Sequence, residues 1–218
     1  DKLTPMSIAF LEEGFEIARR DLSELQGFDF DKLDLDARLN YRLYEYALER
    51  QLAGYEFRFH SYPVNQLFGA HTQLVDFMTN SHQISSEKDA EDYISRLREF
   101  KPRLRELSDN LLVRHEKGIV PPCLVFPRAY RAIDAIVSGA PVTEDGENVL
   151  YSDFEKKIKG LDLTEERKIA LLADAAEALR TSVVPGYAVL TETLKTIEHS
   201  ASGNHGVWNL PDGDAFYS

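Results

Sequence analysis

Six histidines, 37 acidic side chains and a single cysteine are the residues of this chain with the widest chemistry. The histidines are His60, His71, His82, His115, His199 and His205. No pair has the His-Glu-x-x-His spacing, which sets two metal ligands on one helix face beside a general base. Glu198-His199 and His205 come nearest, but a Ser-Ala-Ser-Gly-Asn stretch between the two histidines removes any shared helix geometry. A cationic His at a helix C-terminus explains that cluster more simply. Asp29 to Asp36 is acidic enough to suggest calcium, yet lacks the central Gly and the closing Glu of an EF-hand loop. It reads as an interhelical turn with a capping Asp, and Asp212-Gly213-Asp214 reads as a turn plus a cap. Neither a Gly-rich phosphate loop nor a Gly-x-Ser-x-Gly elbow occurs. No catalytic residue and no metal ligand is assigned.

Two segments carry candidates for lining a cleft. In Tyr55 to Pro63, Arg58, His60 and Tyr62 alternate with Phe57 and Phe59. Packing of those rings, with Arg58 paired to a carboxylate, is the simpler account. The second segment, Gly206 to Ser218, holds the only Trp and a Pro211-Asp212-Gly213 turn flanked by aromatics. Trp208, Asn209, Asp212 and Tyr217, with Arg58 and His60, are the cleft candidates. A self-contained acid–base enzyme built on His60 and carboxylates is a weaker reading, because no such pair stands at a defined spacing.

The formal net charge is −12, from 37 acidic and 25 basic residues. Such a surface repels phosphate backbones and anionic membranes, which argues against nucleic-acid partners. Hydrophobic residues make up 43%, enough for a sizeable core. No apolar run reaches the length of a membrane span. Cys123 sits among apolar neighbours, and a buried, inert thiol is expected there.

The elements that position these residues read as helices. The fold class expected is mainly α, an irregular multi-helix array with little or no strand. Thr4-Pro5 is expected to start a first helix that Gly27 ends, with Ile8, Leu11, Phe15, Ala18, Leu22 and Leu25 on one face. A second helix runs from Asp34 to about Gly54, with Leu35, Leu39, Leu43, Tyr46 and Ala47 as its inner face. Tyr55 to Gly69 is irregular, and Ala70 to Thr79 is a short helix. Ser86-Glu87-Lys88-Asp89 resembles a capping box. It opens a helix expected to kink or break near Lys101, before Pro102, and to stop at Gly118. Ala129 to Ser138 is helical, Ala140 to Asn148 is a polar loop, and Phe154 and Ile158 anchor a helix closed by Gly160. Thr164 caps a long helix that breaks, restarts at Pro185 and ends before Gly203.

Read in order, Tyr55 to Gly69, Asp89 to Leu97, Gly118 to Pro122, Val184 to Leu190 and Gly206 to Tyr217 resemble the front portion of the bacterial "domain of unknown function 885" family. The resemblance covers nearly the whole chain. It implies a helical protein more than twice this length, similar to zinc metallopeptidases, with a His-Glu-x-x-His helix downstream of the segment matching Gly206 to Tyr217. Zinc is thus implied for the full-length protein and not for any residue of this chain, which is expected to be inactive alone. Family members are described as exported or lipid-anchored proteins, which implies a bacterial periplasmic or envelope location.

On this reading residues 1–218 are one helical region, the N-terminal part of a larger protein. Residues 204–218 form a weakly anchored tail leading into a C-terminal catalytic half, the expected partner. The region's role is a non-catalytic wall or lid of a peptide-binding cleft. The alternative is a helical interaction module without enzymatic activity, using widened apolar faces on the second and last helices.

Overall fold

The computed structural model describes residues 2–201, 203 and 206–217. Its helices are α1 (Ile8–Gln26), α2 (Leu35–Ala53), α3 (Ala70–Asp76), α4 (Glu87–Glu116), α5 (Phe126–Val137), α6 (Val149–Lys159), α7 (Glu165–Ala178), α8 (Val184–Glu198) and the short α9 (Gly213–Tyr217). Among the described residues the only β-type pairing is an isolated bridge between Ala140 and Glu147. The chain is mainly α, as its periodicity implies.

The centre is α4, whose apolar residues recur at three- and four-residue steps. Ala90, Tyr93, Leu97, Phe100 and Leu104 are fully buried. Its start is the expected capping box: Ser86 Oγ accepts from Asp89 N, and the Asp89 carboxylate accepts from Ser86 N. Hydrogen bonds to the carboxylate from the Ser85 hydroxyl and N–H, and then from the Ser86 hydroxyl and N–H, lower the Asp89 pKa to about 2. The most extensive helix pair is α4 with α8, where Tyr187, Leu190 and Leu194 fill the contact. Each such side chain contributes roughly 1.5–3 kcal/mol through burial.

Pro102 does not break α4, which runs through it unbroken. Proline lacks the N–H that would reach the carbonyl of Arg98, four residues back. The Ser182 hydroxyl takes that place. It donates to Arg98 O at 2.7 Å and accepts from Lys101 N at 3.1 Å. Ser182 lies in a π-helical turn, Leu179–Val183, that joins α7 to α8 without interruption. The expected break before Pro185 is therefore absent, because Pro185 occupies the first turn of α8, where a missing N–H is tolerated. Gly186 permits the close approach, since a Cβ there would lie 3.0 Å from both Lys101 Cα and Leu104 Cδ1.

Two expectations about the first helices are corrected. Ser7, not Thr4, caps α1, its Oγ accepting from Phe10 N at 3.1 Å. Residues 2–6 instead strap onto α4, with Met6 N bonded to Glu106 Oε2 at 2.7 Å and Leu3 buried. In α2 the expected inner face points outward. Leu35, Leu39, Leu43 and Tyr46 are 85, 60, 59 and 64% exposed, and Ala47 is exposed too. The opposite side, with Leu48 buried and Ala37, Tyr41 and Leu52 half-buried, packs on α1. Both sides of α2 are apolar, so periodicity alone could not choose between them. On α8, by contrast, Tyr187, Leu190, Leu194 and Ile197 are buried in the core, while Ala188 is exposed and Val184 and Val189 are half-buried.

Gly118 ends α4 as expected, at φ +76°. Ile119 N bonds to Arg114 O and Gly118 N to His115 O, the pairing of a Schellman motif. This turn delivers Ile119 into a second, smaller apolar cluster with Phe59 and Leu210. Cys123 is exposed, not buried, because it sits in a 3-10 turn whose buried member is Val125.

Candidate functional site

The two candidate segments meet. The link is His60, whose Nε2 lies 2.8 Å from Pro211 O, across 151 residues of sequence. A carbonyl oxygen can only accept, so Nε2–H is the donor, and Nδ1 is buried without a hydrogen-bond partner. The imidazole packs edge-on to Phe57 at 5.1 Å and tilted against Phe216, also at 5.1 Å. His60 is thus a seat for the tail.

The tail reaches this seat through its own turn chemistry. Gly206 precedes a 3-10 turn, Val207–Asn209, and Leu210 then buries against Phe59 and Ile119. Asp212 takes φ 51°, a left-handed conformation that Asp tolerates better than most residues. Gly213 is required next, because a Cβ there would lie 2.2 Å from Val207 O. Phe216 N closes α9 onto Asp212 O at 2.9 Å. The expected weak anchoring of Gly206 onward is not what the described residues display: Leu210, Pro211 and Phe216 are held by this chain itself. Ser202, Asn204, His205 and Ser218 lie outside the described residues, and so does the His205 end of the Glu198-His199 and His205 cluster. Glu198 of that cluster accepts from Tyr130 OH at 2.8 Å.

The other candidates divide into inward and outward groups. Arg58 is committed inward. Its Nε donates to Glu12 Oε1 at 2.8 Å, its Nη1 donates to Tyr55 O at 2.9 Å, and its guanidinium lies 3.9 Å from the Tyr55 ring centroid. The Arg58 hydrogen bond, joined by one from Tyr55, lowers the Glu12 pKa. Trp208 and Tyr217 are 69% and 81% exposed, and Asn209 and Asp212 are exposed as well. Two large aromatic rings therefore stand in solvent on a tail whose neighbouring residues are fastened down.

Arg114 supports the seat, and sequence reasoning passed over it. Only 4% exposed, it lies over the Phe59 ring at 5.3 Å, and its Nε donates to Ser61 O at 3.2 Å. Burial lowers its pKa to about 10, so it stays charged at neutral pH. Lys117 and Arg58 also approach Phe59, at 5.2 and 4.8 Å. The signal available beforehand was only a basic residue in the last turn of a helix, a common arrangement.

For metal chemistry the donor set is missing. Among the described residues no three His, Cys, Asp or Glu side chains gather into a metal-holding group. A groove of about 580 Å³ runs along α8, lined by Leu112, Ala188, Val189, Glu192, Thr193 and Thr196, and none of these is a cleft candidate. No helix among the described residues is long and apolar enough to cross a membrane.

No curated protein sequence matches the chain. Its fold is similar to the crystal structure of "the putative lipoprotein from Colwellia psychrerythraea", with a TM-score of 0.89 at 20% identity. The match covers 100% of this chain and 38% of that one, so the chain spans well under half the length of the solved protein it resembles. At this identity the likeness establishes the fold alone. The family of bacterial proteins of unknown function DUF885 matches residues 1–218, and the chain belongs to that family.

Proposed function

We propose that this chain is the non-catalytic, N-terminal helical portion of a longer metallopeptidase-like protein, where it forms one wall or lid of a peptide-binding cleft. The observation that carries the reading is the pair of exposed rings, Trp208 and Tyr217, on a tail seated at His60. They belong to a chain spanning 38% of a longer protein of the same fold. Trp208, Asn209, Asp212 and Tyr217 face the peptide or the C-terminal catalytic half, while Arg58 and His60 hold the seat behind them. The described residues gather no zinc-holding group, and no hydrolytic step is assigned to them. Zinc belongs to a His-Glu-x-x-His motif in the remainder of the protein. An envelope location follows from the same reading and agrees with the description of the solved relative as a lipoprotein.

The test is the longer polypeptide itself. A His-Glu-x-x-His motif beyond residue 218, one zinc per chain and peptide hydrolysis are expected, with no stoichiometric zinc in residues 1–218 alone. Absence of the motif would sink the proposal. The outward apolar face of α2 favours a second reading, a helical interaction module without catalysis. That reading predicts a separate protein bound at α2 in the full-length molecule.

A further inference from the structure

The apolar side of α2 that faces solvent is covered by none of the described residues. At about 100° per residue, Leu35, Tyr46, Leu39 and Leu43 fall within about 80° of one another around the helix. Leu48, Tyr41 and Leu52, which meet α1, centre on the opposite side. A helix apolar on two opposing sides is a helix built to be covered twice. Four large side chains at 59–85% exposure on one stripe exceed the scattered apolar residues of an ordinary surface. The hairpin of α1 and α2 packs chiefly on itself, so its outer side is free of the core that α4 and α8 build.

We infer that this stripe is the docking surface for the rest of the longer polypeptide, which lays an apolar helix face along Leu35, Leu39, Leu43 and Tyr46. The inference rests on the reading of this chain as part of a longer protein. The argument for that occupant is one of proportion: the solved protein of this fold carries 62% of its chain beyond the part matched here (100% less the 38% covered). A second copy of the chain has no such support. The stripe's edges carry both signs, Asp36 and Glu49 with Arg42, and Arg50 closes its C-terminal end, so the occupant is selected by apolar shape and not by net charge.

The experiment is site-specific thiol labelling. Leu43→Cys is placed in a Cys123→Ser background, in residues 1–218 and in the longer polypeptide, and total thiol is counted after denaturation. Labelling is expected to be fast in residues 1–218 and at least tenfold slower in the longer chain. Equal rates would overturn the inference. So would slowing that appears in residues 1–218 as concentration rises, because the occupant would then be a second copy. Zinc content and peptide hydrolysis are measured on the same longer protein. A protected thiol in a zinc-free, inactive protein keeps the docking surface and removes the peptidase reading. An unprotected thiol in an active enzyme does the reverse.

Discussion

The hydroxyl of Ser182 donates to the carbonyl of Arg98 at 2.7 Å, filling the gap that Pro102 opens in α4. It also accepts from Lys101 N, so one small side chain satisfies two backbone groups inside the main helix contact. Ser182→Ala strands both, and a cost of about 1–3 kcal/mol is expected. A lowered urea midpoint at unchanged slope measures it. No loss would mean that Pro102 is accommodated some other way.

Gly186 faces the same junction. Alanine there gains helix propensity but brings its Cβ to 3.0 Å from Lys101 Cα, a backbone atom that cannot turn aside. Overpacking wins, and Gly186→Ala should destabilise by about 1–3 kcal/mol. A stabilised variant would show that α4 and α8 can separate slightly at little cost.

Acid should loosen the fold through two buried histidines. Burial lowers His71 from 6.5 to about 4. His82 is lowered by burial, by Arg96, whose Nη1 lies 2.7 Å from its Nδ1, and by Lys157, against an opposing bond to Asp89 O. Between pH 6.5 and 4 the unfolded chain holds the His71 proton and the folded chain does not. Stability is therefore complete above about 6.5 and falls as pH falls, by about 2 kcal/mol at pH 5 for His71 alone. Urea titrations at pH 7.5 and 5 check this, and His71→Leu should flatten the difference.

Arg114 holds the turn that bears His60. Replacing it with Met keeps much of the stem packing over Phe59 but removes the donors to Ser61 O and Arg58 O. A loss of about 1–3 kcal/mol is expected, with faster proteolysis between residues 206 and 217. If stability falls but the tail stays protected, the seat does not depend on Arg114.

Trp208→Ala should leave the stability of residues 1–218 within about 0.5 kcal/mol, because the ring is mostly in solvent. In the longer protein the same change should lower peptide kcat/KM. An unchanged kcat/KM would remove Trp208 from the cleft.

Much of the architecture was legible in the residues. The capping box at Ser86, the Gly118 stop and the Gly160 and Thr164 boundaries of α6 and α7 all rest on local chemistry, and local chemistry is written in short segments. What failed depended on partners. The outer face of α2 looked like an inner face because a leucine stripe does not say whether its cover lies in this chain. Pro102 reads as a break because the Ser182 hydroxyl that accommodates it comes from 80 positions away, and Pro185 does because periodicity does not reveal the π-turn that joins α7 to α8 just before it. Cys123 looked buried because it stands among apolar residues, of which Pro121, Val125 and Phe126 turn inward while Cys123 and Leu124 do not. Of the candidate site, Arg58 proved to pair with a carboxylate, as its simpler reading held. The meeting of His60 with Pro211 left no trace in the spacing of either segment.

That meeting also bears on the order in which the chain assembles. A contact spanning 151 residues forms only after α1 to α8 have been made, since Pro211 follows all of them in the chain. The core around α4 can close as soon as α8 is made. His60, Phe57 and Phe59 must wait longer, with their ring faces open to water or to a chaperone until the tail arrives. The tail then closes this helical region after its core has formed, and until it arrives the nascent chain carries an uncovered aromatic notch.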